Sequence, residues 1–422
     1  MKKILIALLI VGFAGAAPAM AADFDFYGSF RTHLGYYSVD EDYAGGPGRD
    51  STIGHGMEGV DDDSGTTLTL GGNSTFGADI GVSENIYGKI ETGIEETTTV
   101  AEVGDDDDDV VRENDVYLRE AYGVWNFGEG ELLAGKTYTP GTFAGYSKIS
   151  GNLGSGYDGA MFAAGIPYID RQPQVRLTFG GFEFALIEAN TGAPDYKEDV
   201  PDNDKMDKDF TLPRMEAAYT HQIENITLRG IAGYQTYDIE GYENVGTEEA
   251  PDWEDKGSES IDSYHVGLGG KMDFDPAYVN AGISYGQNPG NYGNSNLLLI
   301  GPSGGKEVMY AQYVDDGDKE DATLMEGILV AGFQATPMVN LEAGVGYMSG
   351  EVDAEHDEEV NTVSQTSMLY YAQAWISMNE TFHIIPEIGM VNRGDVEYDH
   401  ADTDDLDNGD MTYFDVSFRY EF

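Results

Sequence analysis

From residue 22 onward the chain switches between stretches in which apolar and polar residues take turns and stretches dominated by aspartate and glutamate. Alternation with period two marks a strand whose two faces meet different surroundings. Met411 to Phe422 shows it most plainly, with Phe414, Val416, Phe418, Tyr420 and Phe422 interleaved with Asp415, Ser417, Arg419 and Glu421. The same pattern predicts strands at Phe24–Tyr37, Leu68–Ile80, Ile86–Ile94, Val116–Phe127, Leu132–Tyr138, Gln174–Phe179, Phe182–Glu188 and Leu212–His221. It continues at Ile226–Ile239, Ile261–Met272, Tyr278–Gly286, Thr323–Gln334, Asn340–Ser349, Ser367–Ser377 and Thr381–Val391. Short turns such as Gly128-Glu129-Gly130 and Asp273-Phe274-Asp275-Pro276 join these strands in pairs, and long gaps separate the pairs.

Sixteen strands with strictly alternating short and long connections predict an all-β fold, a 16-stranded antiparallel transmembrane β-barrel with short periplasmic turns and long extracellular loops. A soluble sandwich would bury the aromatic face and has no reason to sort its loops by length. Within lipid every backbone N–H and C=O must be paired inside the protein, so the sheet has to close on itself. A closed sheet of this size is too wide for side chains to fill, and its interior is expected to hold water.

The N-terminus refines the picture. Lys2 and Lys3, the apolar run Ile4–Gly15 and Ala19-Met20-Ala21 read as a signal peptide over residues 1–21, which leaves residues 22–422 as one barrel domain. The sequence contains no cysteine, so neither a lipid-anchored cysteine nor a disulfide framework is available. The 56 glycines and 28 tyrosines suit tight turns and the rims of a membrane wall better than helices. A formal net charge of -55 excludes binding to a nucleic-acid backbone, which needs basic surface.

Arg119-Glu120-Ala121-Tyr122-Gly123-Val124 followed by Gly135-Lys136-Thr137-Tyr138-Thr139-Pro140 is similar to the fourth and fifth strands of the general, trimeric outer-membrane porins of Gram-negative bacteria. Asn73-Ser74-Thr75-Phe76-Gly77 resembles their second strand, with Thr75 where arginine is usual, and Phe26-Tyr27-Gly28 resembles the first. Phe418, Tyr420 and Phe422 match the aromatic terminal strand that serves in that family as the membrane-assembly signal. The resemblance implies a homotrimer in the outer membrane, in contact with its lipid and lipopolysaccharide. It also implies that the third long loop, here residues 139–171, folds inward to narrow the pore. That gap is nearly uncharged and rich in small residues, as such packing requires. Family members place acids on this loop opposite wall arginines; Asp158 and Asp170 are the only acids available here.

Basic residues number only 22, so their placement is informative. With the apolar parity set toward lipid, Arg31, Lys89, Arg119, Lys136, Arg176, Arg214 and Arg229 are expected to face the lumen, and Arg171 to stand where the loop rejoins the wall. A charge facing lipid at mid-depth costs about 2–4 kcal/mol. Inward placement is thus required whether or not these residues serve transport. The expected constriction comprises Arg31, Lys89, Arg119, Lys136, Tyr138, Tyr157, Asp158, Asp170, Arg171 and Arg176. Glu120 has outward parity, a misfit that a subunit interface would relieve. The acidic runs Asp61–Asp63, Asp105–Asp109, Asp315–Asp318, Glu355–Glu359 and Asp402–Asp410 lack EF-hand spacing and read as a solvated anionic crown, which calcium or magnesium could bridge loosely. No other cofactor is expected. The scattered histidines and the absence of a nucleophile elbow argue against catalysis. The apolar patch Leu297–Ile300 suggests a protruding hairpin with Glu307–Val314.

The expected function is passive passage of small hydrophilic solutes and ions, with cations favoured by the acidic mouth. The alternatives are a substrate-specific porin and a closed barrel that serves as a surface anchor or cation-binding coat protein.

Overall fold

The computed structural model describes residues 22–39, 63–71, 73–102, 108–143, 145–150, 165–191, 204–244, 253–294, 307–313, 319–356, 359–399 and 408–422. Sixteen wall strands follow one another in chain order. They are β1 (Asp23–Val39), β2 (Asp63–Leu70, continued by Ser74–Ser83), β3 (Ile86–Glu102), β4 (Asp108–Asn126), β5 (Gly130–Tyr138), β6 (Arg171–Phe179), β7 (Phe182–Ile187) and β8 (Asp204–Asp209, continued by Arg214–Ile223). After them come β9 (Ile226–Asn244), β10 (Trp253–Phe274), β11 (Ala277–Gln287), β12 (Thr323–Thr336), β13 (Val339–His356), β14 (Glu359–Ser377), β15 (Phe382–Asn392, continued by Val396–Tyr398) and β16 (Asp410–Glu421).

Every neighbouring pair is antiparallel, and β16 returns to β1 from Ser29↔Glu421 to Val39↔Met411. Gly28 N donates to the Phe422 carbonyl at 2.9 Å and Phe422 N to the Gly28 carbonyl at 3.1 Å, so the seam is bonded to its end. Closure leaves no open edge, which is the condition for a sheet to stand in lipid. The outward parity carries the apolar belt: Phe26, Leu34, Leu68, Trp125, Phe182, Leu268 and Ile283 are among its exposed side chains. Phe414, Phe418, Tyr420 and Phe422 lie on that face, with the Phe422 ring tilted against Phe30 at 5.7 Å between centroids. None of the described helices is long and apolar enough to cross a membrane; the strands do so.

The strands differ from the sequence expectation mainly at their loop ends. The gap between Ile94 and Val116 is strand over most of its length, because β3 and β4 stay paired out to Glu102↔Asp108. Likewise β9 and β10 remain paired to Asn244↔Trp253, and β13 and β14 to His356↔Glu359. Apolar alternation ends where lipid ends, whereas backbone pairing continues into water. The described flanks of these acidic gaps are therefore hairpin arms. The N-terminal segment 1–21, most of the acidic runs, Leu297–Ile300, Tyr157 and Asp158 lie outside the described residues. The protruding hairpin expected from Glu307–Val314 is not found: Gln312–Tyr313 pairs with Lys319–Glu320, and Val308 to Ala311 are buried.

Candidate functional site

The gap between β5 and β6 folds into the cylinder, and the wall is built to receive it. Gly267, Gly269 and Gly282 stand on β10 and β11 beneath two loop aromatics. A Cβ at Gly269 would lie 2.5 Å from the Tyr146 hydroxyl, and one at Gly267 would lie 3.1 Å from the Phe143 ring. Phe143 and Tyr146 are buried there with Ile166, Ala218, Ile231, Ile328 and Val330. The loop returns past Gly165, whose φ of +78° and close approach to the Gly327 carbonyl admit no side chain. Burial pushes the Tyr146 phenol up to about 12, so it stays neutral.

Three wall carboxylates accept backbone N–H groups from this loop. Gly141 N donates to Glu216 at 2.6 Å, Lys148 N to Glu342 at 2.8 Å and Ser150 N to Glu387 at 2.8 Å. Wall cations and amides take loop carbonyls: Arg229 donates to Pro140 O at 2.9 Å, Lys271 to Gly145 O at 2.9 Å and Asn280 to Tyr146 O at 2.8 Å. The ties run from β8 around to β15, so the loop spans much of the circumference. Hydrogen bonds with one charged partner contribute about 1.5–3 kcal/mol each.

A second gap also turns inward. The helix α1 (Pro289–Tyr292) is buried beneath the mouth, capped by Asn288 and Gly293 in left-handed conformations. Its carbonyls are met by wall donors, Arg214 to Tyr292 O at 3.0 Å and Gln235 to Asn291 O at 2.9 Å. Further on, Val308, Met309 and Tyr310 pack against inward-facing Val39, Leu324, Met348, Val352, Val391 and Met411. The two infolded segments touch where Tyr168 N donates to Asn294 Oδ1 at 3.0 Å. They also share Glu216, which accepts from Gly141 N and from the Tyr292 hydroxyl at 3.0 Å. Burial and the Glu216 carboxylate hold the Tyr292 phenol well above its ordinary value.

The wall cations come in partnered groups. Arg119 Nε donates to Glu91 at 2.8 Å, and Lys89 lies 2.9 Å from Glu120 and 3.6 Å from Glu91. Arg176 and Arg229 share Glu183 at 3.4 and 2.7 Å. Arg214 lies 3.4 Å from Glu216, both almost fully buried. Arg171 stacks on the Tyr138 ring at 4.1 Å, hydrogen-bonds its hydroxyl and lies 3.2 Å from Asp170. Arg31 stands on β1 opposite Arg419 of β16.

Two sequence expectations fail here. Glu120 faces the lumen, because a bulge at Glu91/Thr92 advances the register of β4 and brings Arg119 and Glu120 to the same side. The interface hint drawn from Glu120 therefore lapses. Lys136 faces outward with Leu132 and Ala134, since its neighbour Thr137 donates inward to Glu120 at 2.6 Å. Near the loop end of β5 its long stem can carry the ammonium toward water. Glu216, Glu342 and Glu387 were missed, although each is a lone acid between residues of outward parity. Among the described residues no group of three or more side chains is arranged to hold a metal ion.

No family model matches the chain, and no curated protein matches it in sequence. Solved structures do. The outer-membrane channel DcaP of Acinetobacter baumannii superposes with a TM-score of 0.55 at 16% identity, over 95% of this chain and 97% of that chain. The trimer form of OmpT, an outer-membrane protein of Vibrio cholerae, gives 0.51 at 13% identity, over 95% and 100%. The fold of this chain is that of the outer-membrane porins.

Proposed function

We propose that the protein is an outer-membrane porin, a water-filled channel through which small hydrophilic solutes and ions diffuse passively, with no catalysis and with cations favoured. The observation that carries this reading is the inner face itself: fixed charges line a closed sixteen-stranded cylinder whose outer belt is apolar. Charges in such a place need water around them. Selection would come from the infolded loops and from the groups around Arg31, Lys89, Arg119, Tyr138, Asp170, Arg171 and Arg176. Pairing of the wall cations with Glu91, Glu120, Asp170, Glu183 and Glu216 mutes their field, which leaves the acid excess of the mouth to set the sign.

The same reading includes assembly as a homotrimer beside lipopolysaccharide, with calcium or magnesium bridging the acidic crown loosely. A substrate-specific channel is the second reading, favoured by the presence of two infolded segments rather than one.

Purified protein in a planar bilayer should carry current, and its reversal potential in a KCl gradient should have the sign of potassium preference. Absence of current at every voltage would leave only a closed anchor. A chloride-signed potential would overturn the selectivity. Saturation of flux by one solute class would favour the specific channel.

A further inference from the structure

The short turn between β12 and β13 and the first infolded loop border a cavity of about 550 Å³. Small-molecule sites measure about 300–1,000 Å³. Met338 of the turn and Ile149 of the loop give the cavity apolar surface, and Trp375 of β14 adds an indole.

Its polar side is a row of amides fixed by their own bonds. Gln334 and Asn340 are direct partners across β12 and β13, and both border the cavity. The Tyr278 hydroxyl donates to Asn340 Oδ1 at 3.4 Å, and Asn340 Nδ2 donates to Gln334 Oε1 at 3.2 Å. Gln334 Nε2 in turn donates to the Thr336 carbonyl at 2.6 Å. A side-chain amide has two N–H donors and an oxygen that accepts twice. Each of these two therefore keeps one N–H and one lone pair for a solute, in an orientation already set. Ser377 Oγ, 3.0 Å from His383 Nδ1, is held on the same wall. Hydroxyls both donate and accept, so adjacent hydroxyls of one solute match such a row. Groups already ordered lose little rotamer freedom when a ligand arrives.

Trp375 is fixed as well. Its Nε1 donates to His383 Nδ1 at 3.1 Å, and Arg419 covers one ring face at 4.6 Å. Aromatic and aliphatic surface of this kind suits the C–H face of a pyranose, whose hydroxyl edge then meets the amides. Charge points to the same class. Arg31, Lys148 and Arg419 border the cavity and, among the described lining residues, no carboxylate does, which disfavours a cation. The formal net charge of -55 depletes anions around the whole chain. A neutral solute meets neither barrier. We propose that the cavity binds a neutral sugar, its hydroxyls on Gln334, Asn340 and Ser377 and its C–H face against Trp375, Ile149 and Met338. The inference rests on the porin reading for a lumen open to solutes, and deepens it by naming a substrate class.

The test uses folded full-length protein in detergent, with Trp125→Phe and Trp253→Phe so that Trp375 is the only indole. Maltose should change its fluorescence saturably. Glycerol, which has hydroxyls but no ring, and benzoate, which has a ring and a charge, should not. Asn340→Ala and Gln334→Ala should each weaken maltose binding about fivefold, as loss of one neutral hydrogen bond implies. Calorimetry of the unaltered chain with maltose and with glycerol repeats the comparison without any substitution, so it decides the matter even if a variant fails to fold. A non-saturating response to maltose, an equal response to glycerol, saturation by benzoate alone, or wild-type affinity in both folded amide variants would overturn the site. Bilayer current separates the two readings: maltose binding without current sinks the channel and spares the cavity, and current without maltose binding does the reverse.

Discussion

At the scale of the residue, Glu216 concentrates more consequence than any arginine of the expected ladder. Its carboxylate accepts from Gly141 N of one infolded segment and from the Tyr292 hydroxyl of the other, and it lies beside buried Arg214. Removing one partner of a buried ion pair costs about 3–5 kcal/mol. Glu216→Ala is therefore expected to lower the temperature at which the folded barrel loses its gel mobility and to raise single-channel conductance as both segments loosen. Glu216→Gln keeps an acceptor for Gly141 and should change conductance less. The sequence made the inward parity of Lys89, Arg119, Arg176, Arg214 and Arg229 readable, because a cation among lipid-facing residues is costly. It hid the receiving glutamates, since one acid among 77 offers no contrast and its partners are distant in the chain. The inversion of Glu120 was equally hidden: a bulge leaves no mark in an alternating pattern until the pairing is known.

At the scale of the element, all sixteen wall strands were legible and their short-turn ends were well placed. There, tight turns such as Gly128-Glu129-Gly130 stop the alternation abruptly. Their far ends were not, because pairing outlasts the lipid. The first infolded loop announced itself by lacking charge. The second carries its own signal: Val308-Met309-Tyr310-Ala311, an apolar run between two long strands, packs against the inner wall. Met309 is fully buried there, so Met309→Asp would place an unpartnered carboxylate among Leu324, Met348 and Val352. This segment should then leave the wall, which limited proteolysis of intact protein in detergent would detect as a new cleavage between β11 and β12. Bilayer recordings of the same variant should show a larger conductance.

At the scale of the molecule, the governing quantity is the field of a chain with a formal charge of -55. Screening shortens its reach from about 10 Å at 0.1 M salt to about 3 Å at 1 M. The proposed cation preference, read by reversal potential, should shrink steadily over that range. A preference that survived at 1 M would instead place selection in the paired groups at the constriction, where charges stand within bonding distance of a passing ion. Closure of β1 on β16 was foreseeable from the even strand count, whereas the identity of the residues facing each other at the seam was not.

A cylinder of sixteen strands with little inside it resists flattening poorly. The bonds from Gly141, Lys148 and Ser150 to Glu216, Glu342 and Glu387 run to widely separated staves, as the spokes of a wheel run to its rim. The segment proposed to narrow the passage is thereby also a brace that keeps the cross-section round, and a change that frees it should leave the aperture not merely wider but less uniform in shape.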